Sequence, residues 1–166
     1  MNLEGIFEDL EAQFDAQLGA ANSRHAFDES NLVTVWSRDA GTVCQLAAAI
    51  LGVDFVAGMA LGTNCFRLIP LASVRNCEFA TLKDASLPRC RFVEIEAAQF
   101  LARLPLPFSI EWRTSADAPL RHGNVSDLLG QCLCVEELGC ASVQAVPIHS
   151  LEFLELSNVE NFGDLP

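Results

Sequence analysis

Apolar and polar positions alternate in short runs along most of this chain. LVTVW, beginning at Leu32, and FSIEW, beginning at Phe108, alternate as half-buried strands do, with successive side chains on opposite faces. PLRHGNVSDLL, punctuated by Gly130, reads as a further strand. QCLCVEE is another, turning at Leu138-Gly139, then SVQAV, and LEFLEL closes the region. TVCQLAAAIL is rich in helix-favouring Ala and Leu. Its counterpart later in the chain, HGNVSDLL, is a poor helix, so it too is assigned as strand. Pro70 opens PLAS and Pro147 opens PIHS; a residue with fixed φ and no N–H suits the start of a single 3₁₀ turn.

Two segments have the helical period instead. NLEGIFEDLEAQFDAQLG places Leu3, Ile6, Phe7, Leu10, Phe14 and Leu18 on one face, with Glu4, Glu8, Glu11 and Asp15 beside them and Gly19 as the stop. FVEIEAAQFLARL groups Val93, Ala97, Phe100, Leu101 and Leu104, and Pro105 ends it. Ala20–Asn31 and Ala80–Arg91 read as loops.

The strand-rich part occurs twice. LGVDFVAGMALGTNCFRLIPLASVRNCEF, residues 51–79, aligns without a gap on LLGQCLCVEELGCASVQAVPIHSLEFLEL, residues 128–156. Leu61, Gly62, Pro70, Ser73 and Glu78 meet Leu138, Gly139, Pro147, Ser150 and Glu155. Upstream, Trp36 and Trp112 fall into register after a one-residue slip. The organisation expected is an N-terminal helix and loop (1–30), a first small β-barrel (31–79), a linker with a helix (80–107), a second barrel (108–156) and an acidic tail (157–166). The fold class is mainly β with flanking helices, an α+β chain with two tandem duplicated small barrels. Four strands, a one-turn helix and a short last strand per copy describe an SH3-like or Sm-like barrel, whose closure removes most exposed edges.

Charge narrows the partners. The net charge is −12, concentrated in the N-terminal region and the C-terminal tail, and an acidic chain repels phosphate backbones. The one basic cluster is Arg75, Lys83, Arg89 and Arg91. Seven cysteines without a secretory signal fit a reducing cytoplasm with free thiols. The longest apolar run, Leu46–Val53, is far short of a membrane span.

Each copy resembles an Sm-like or SH3-like barrel, with Gly123 at the second-strand glycine and Asp54 at the aspartate after the following turn. The whole chain is similar to an uncharacterised actinobacterial family that opens with a helix like IFEDLEAQF and continues with a small barrel, a helix like AAQFLARL and a second barrel ending near VPIHSLEFLEL. That resemblance carries no established activity. RNA-binding Sm proteins have a basic residue and a Gly before the last strand; here those places read IPLAS and VPIHS, which argues against RNA.

The candidate chemistry is sparse. Cys132, Cys134 and Cys140 are spaced C-x-C-x₅-C rather than in the C-x₂-C pairs of structural zinc. Cys132 and Cys134 align with Phe55 and Ala57, so they are expected to point inward as small hydrophobes and bind nothing. His149-Ser150 puts neighbours on opposite faces rather than together, and the shared Ser73/Ser150 position fits a turn serine bonded to local backbone. Asp54 and Asp127 sit at turns without a second carboxylate, and no Gly-rich phosphate loop is present. No catalytic residue, cofactor or metal is assigned. The expected role is non-enzymatic: a protein partner or homodimer bound through the N-terminal helix or the groove between barrels. Leu3, Phe7, Leu10, Phe14, Trp36 and Trp112 are the candidate contacts, the tryptophans also fitting the core. The alternatives are nucleic-acid binding by Arg75, Lys83, Arg89 and Arg91, and a small-ligand pocket or active site between the barrels.

Overall fold

A computed structural model of the protein describes residues 27–38, 43–63, 65–83 and 87–156. The expected N-terminal helix with Leu3, Phe7, Leu10 and Phe14, and the tail from residue 157, lie outside the described residues. What is described is mainly antiparallel β-sheet. The strands are β1 (Leu32–Ser37), β2 (Val43–Leu51), β3 (Phe55–Ala60), β4 (Cys65–Pro70), β5 (Val74–Ala80), β6 (Arg91–Phe92), β7 (Phe108–Arg113), β8 (Arg121–Leu129), β9 (Cys132–Glu137), β10 (Val143–Pro147) and β11 (Phe153–Leu156). Residues 27–29, expected as loop, are helical, and between the strands lie the helix α1 (Ala97–Ala102) and two 3₁₀ turns, Leu71–Ser73 and Ile148–Ser150. Of TVCQLAAAIL, the described part Val43–Leu51 is strand: the cross-strand partners of β2 on both sides override its helix propensity.

All ten long strands join one sheet in the order β10-β9-β8-β7-β11-β4-β3-β2-β1-β5, with β6 running parallel to the end of β2. The first five long strands and the last five therefore repeat one spatial order. They also repeat one register, residue n corresponding to n + 77. Val33↔Leu46 becomes Ile110↔Gly123, Ile50↔Ala57 becomes Asp127↔Cys134, and Phe55↔Pro70 becomes Cys132↔Pro147. The irregularity in β2 after Ala47 has its counterpart in β8 after Val125. The Leu-Gly pairs turn β3 into β4 and β9 into β10, with Gly62 and Gly139 at φ 89° and 86°, a conformation that favours glycine.

Three expectations are corrected. Among the described residues the halves do not close as separate barrels: neither β4 with β5 nor β10 with β11 forms a ladder, and the sheet is open, with β10 and β5 at its edges. Trp36 does not correspond to Trp112. Val35 and Trp112 share the inward position, pairing Cys77 and Leu154, while Trp36 falls on the opposite face with Arg113. Residue identity suggests the slip; the β1–β2 and β7–β8 ladders correspond without one. The linker helix starts at Ala97, four residues after Val93, because Arg91–Phe92 is strand and Glu96 caps Ala97–Gln99 in a reciprocal capping box with Gln99.

Two apolar clusters support the sheet. One fills the first half with Val33, Val35, Leu46, Val56, Ile69, Leu71, Val74 and Cys77. The other holds their counterparts Ile110, Trp112, Leu133, Val146, Ile148, Leu151 and Leu154, but also takes in Phe55, Ala57, Phe66 and Leu68 from the back of the first half. Helix α1 lies over that back: the Phe100 ring is 5.3 Å from Phe55 and 5.9 Å from Phe66 between centroids. Strand β3 is thus covered on both faces, while β9 alternates buried Leu133 and Val135 with half-exposed Cys132 and Cys134.

Candidate functional site

The join between the halves is the most heavily built polar feature. Strand β11 pairs with β4 through Leu154↔Leu68, Glu155↔Arg67 and Leu156↔Phe66. Arg67 forms an ion pair with Glu155, its Nε donating at 2.9 Å, and its guanidinium lies 4.2 Å from the centre of the Phe153 ring. Arg113 sits 5.0 Å from the same ring and donates from Nε to Glu152 at 2.6 Å. Ser37 of β1 also donates to Glu152, at 3.3 Å. Glu152 and Glu155 are buried, so each needs the arginine it has. Arg67 also donates to the Cys44 sulfur at 3.4 Å; burial pushes that thiol's pKa up and Arg67 offsets part of the rise.

A second junction is centred on Asp54, in the β2–β3 turn. Its Oδ1 accepts the N–H of Ala97, the first residue of α1, at 2.7 Å. Its Oδ2 lies 3.4 Å from His149 Nε2 on the second half's 3₁₀ turn. Its carbonyl accepts from Leu71 at 2.9 Å. One buried carboxylate thereby ties the first half, the helix and the second half together. Burial pushes its pKa up; the Ala97 N–H and His149 partly counter this. Sequence spacing singled out Asp54 and His149 separately and gave no sign that they meet. The pair holds no nucleophile: Ser150 Oγ donates to the Pro147 carbonyl at 2.8 Å. Ser73 departs from the expected local bond and donates across the join to the Leu151 carbonyl at 2.5 Å.

The other sequence candidates fall as follows. Trp112 is fully buried, and its indole N–H has no acceptor among the described residues. Trp36 is half-buried on the other face. Arg75 is the second residue of β5, whereas Lys83 follows its end and Arg89 and Arg91 adjoin the segment where Cys90 N–H bonds the Ser30 carbonyl. The run of β5 from Arg75 to Ala80 spans about 17 Å at strand rise, so Arg75 is separated from the other three. His122 approaches Glu111, its cross-strand neighbour, at 3.1 Å on the exposed side. Cys132 and Cys134 are not inward: they share the half-exposed face opposite Leu133 and Val135. Asp127 Oδ1 accepts the Leu128 N–H at 2.8 Å. Among the described residues no group of three or more His, Cys, Asp or Glu side chains is placed to hold a metal. No described helix is long and apolar enough to cross a membrane. Between the halves there is a void of about 20 Å³ beside Val35, Arg67, Glu152 and Phe153, room for one water. An open cleft of about 270 Å³ lies wholly on the first half, over Val43, Cys44, Leu61 and Arg67.

The sheet edges were not visible in the sequence. Strand β10 pairs only with β9 among the described residues. Just past β10, Ile148 N–H donates to the Gln131 carbonyl at 2.9 Å. Hydrogen-bonded pairs alternate along an antiparallel ladder, so Val146 and Gln144 bond to β9 and the N–H and C=O groups of Ala145 and Val143 point away from it. Val143 is 56% exposed and Leu138, at the adjoining turn, 71%. No family model and no curated protein matches the chain.

Proposed function

We propose that this is a non-enzymatic interaction protein made of two copies of one small Sm-like or SH3-like module, and that it binds another protein by adding a strand to an open edge of its sheet. The observation that carries this reading is β10. Its outward backbone groups have no strand partner among the described residues, exposed Val143 and Ala145 flank Gln144, and none of the three is charged. Edges of monomeric proteins are ordinarily guarded by charge, proline or a covering segment, and strand addition is a recurrent mode of protein recognition. Only Pro147, at the far end of β10, interrupts the row. The nucleic-acid alternative is weakened by the separation of Arg75 from the other basic residues.

Affinity purification from native cells tests the reading with the full chain, a chain lacking residues 1–26, and Ala145→Pro, which deletes an outward N–H. Protein partners retained by the truncated chain and lost by a folded Ala145→Pro chain are expected. Loss on truncation alone returns the binding role to the N-terminal helix and its Leu3, Phe7, Leu10 and Phe14 face. Equal capture by all three refutes both sites.

A further inference from the structure

We infer that the strand received by β10 is β5 of a second copy of this chain, so that copies join head to tail by repeating the seam that joins the two halves within one chain. The inference rests on the edge-binding reading above and names its partner.

The argument follows from the register. Within the chain, the last strand of the second half, β11, pairs with the fourth strand of the first half, β4. The counterpart of β11 is β5, and the counterpart of β4 is β10; among the described residues these are the two strands at the ends of the sheet. The molecule therefore carries one seam already made and the two complementary edges of that seam unmade. Transferring Leu154↔Leu68 and Glu155↔Arg67 to the two end strands gives Cys77↔Ala145 and Glu78↔Gln144 between copies. The contact is heterologous, so β5 of one copy and β10 of another stand at opposite ends of the assembly and the pairing propagates.

Burial supplies a second line. At the internal seam the back of the first half is covered: Phe55, Ala57, Phe66 and Leu68 are all buried. Their counterparts on the second half are Cys132, Cys134, Val143 and Ala145. The two cysteines are half-exposed and the other two exposed. That face of the first half is covered by α1 together with the second half's apolar cluster, and neither cover has a described counterpart over the second half. The polar pair also transfers in weakened form. Glu155 meets the Arg67 guanidinium, whereas exposed Glu78 would meet the Gln144 amide, which already donates to Glu137 at 2.9 Å and accepts from Arg121 at 3.2 Å. A neutral donor in place of a cation makes the contact between copies reversible where the internal seam is permanent.

Sedimentation velocity of the full chain over a concentration series tests this. Mass should rise with concentration in the wild type. Ala145→Pro should abolish the rise while leaving the melting temperature of the monomer intact. Gln144→Arg, which restores the cation of the internal seam, should tighten association about twofold to fivefold, the scale of one exposed ion pair. Gln144→Arg combined with Glu78→Arg should remove that gain. A wild type and a Gln144→Arg chain that both remain monomeric overturn self-pairing. If those monomers nevertheless capture a protein from native cells that Ala145→Pro does not, edge binding survives with a different occupant. Association unaffected by Ala145→Pro and by Gln144→Arg also refutes the β5–β10 contact.

Discussion

Replacing Asp54 tests whether one carboxylate holds the three parts of the molecule together. Asp54→Ala removes the acceptor for the Ala97 N–H at 2.7 Å and the partner of His149 at 3.4 Å. Leaving a buried donor unpaired costs about 1–3 kcal/mol. Removing a carboxylate that burial disfavours returns part of that, so the net loss expected is about 1–2 kcal/mol. For a chain of this size that is roughly 2–8 °C in Tm. Asp54→Asn keeps an acceptor for Ala97 and should lose less. The pH dependence has a definite sign. The folded-state pKa of Asp54 is raised, chiefly by burial. Its contribution is therefore fully present below the unfolded carboxylate pKa and lost as pH rises through the folded one. Relative to Asp54→Asn, which does not titrate there, the wild type should lose ground as pH rises across that window. Urea unfolding of the three proteins at several pH values measures both effects. An Asp54→Ala chain as stable as wild type, or an Asn variant less stable than the Ala variant, refutes the junction.

Other consequences are simpler to check. Phe100→Ala empties the space between Phe55 and Phe66 under α1 and should cost about 3–5 kcal/mol by denaturant unfolding; a loss under about 1 kcal/mol would mean that α1 does not hold the back of the first half. Thiol titration of the native protein should find exposed Cys140 reactive and Cys77 silent, since burial pushes the Cys77 pKa up to about 12 and a thiol attacks as its thiolate. Cys77 should be released only on unfolding, and fast labelling of the native state would contradict its place in the core. Single-stranded RNA should show no measurable binding at physiological salt, because the net charge of −12 opposes it; micromolar binding in a filter assay would refute this.

The strands and their repetition were legible because β-structure leaves local marks. Alternation gave the strand faces, Leu-Gly gave the hairpin turns, and Pro70 and Pro147 marked where each fourth strand runs into its 3₁₀ turn. The comparison failed where it relied on identity instead of face: two tryptophans attracted each other across a one-residue slip, although Val35 is the true counterpart of Trp112. It failed again over Cys132 and Cys134. Their counterparts Phe55 and Ala57 are buried by α1, an element that covers one half and not the other, and no alignment of the halves reports such a difference. The join was illegible for a plainer reason. Arg67 and Glu155, or Asp54 and His149, stand far apart in sequence and meet only through the order of strands in the sheet, which alternation does not encode. The beginning of α1 depended on whether Arg91–Phe92 found a strand partner in β2, again a long-range matter.

The sharing of one apolar cluster between the back of the first half and the interior of the second bears on how the chain is made. On the ribosome the first half emerges with β1 to β5 able to pair, yet Phe55, Phe66 and Leu68 have no cover until α1 follows, and the outer side of β4 has no neighbour until β11, synthesised after all the other strands, arrives. Until α1 follows, the nascent chain thus presents a raw β edge beside an oily face, the combination that invites mispairing with other chains, and the edge itself stays raw until β11 arrives. Slow decoding between residues 107 and 150 would prolong that interval, and a chaperone that holds extended apolar segments would find its client there rather than in the finished protein.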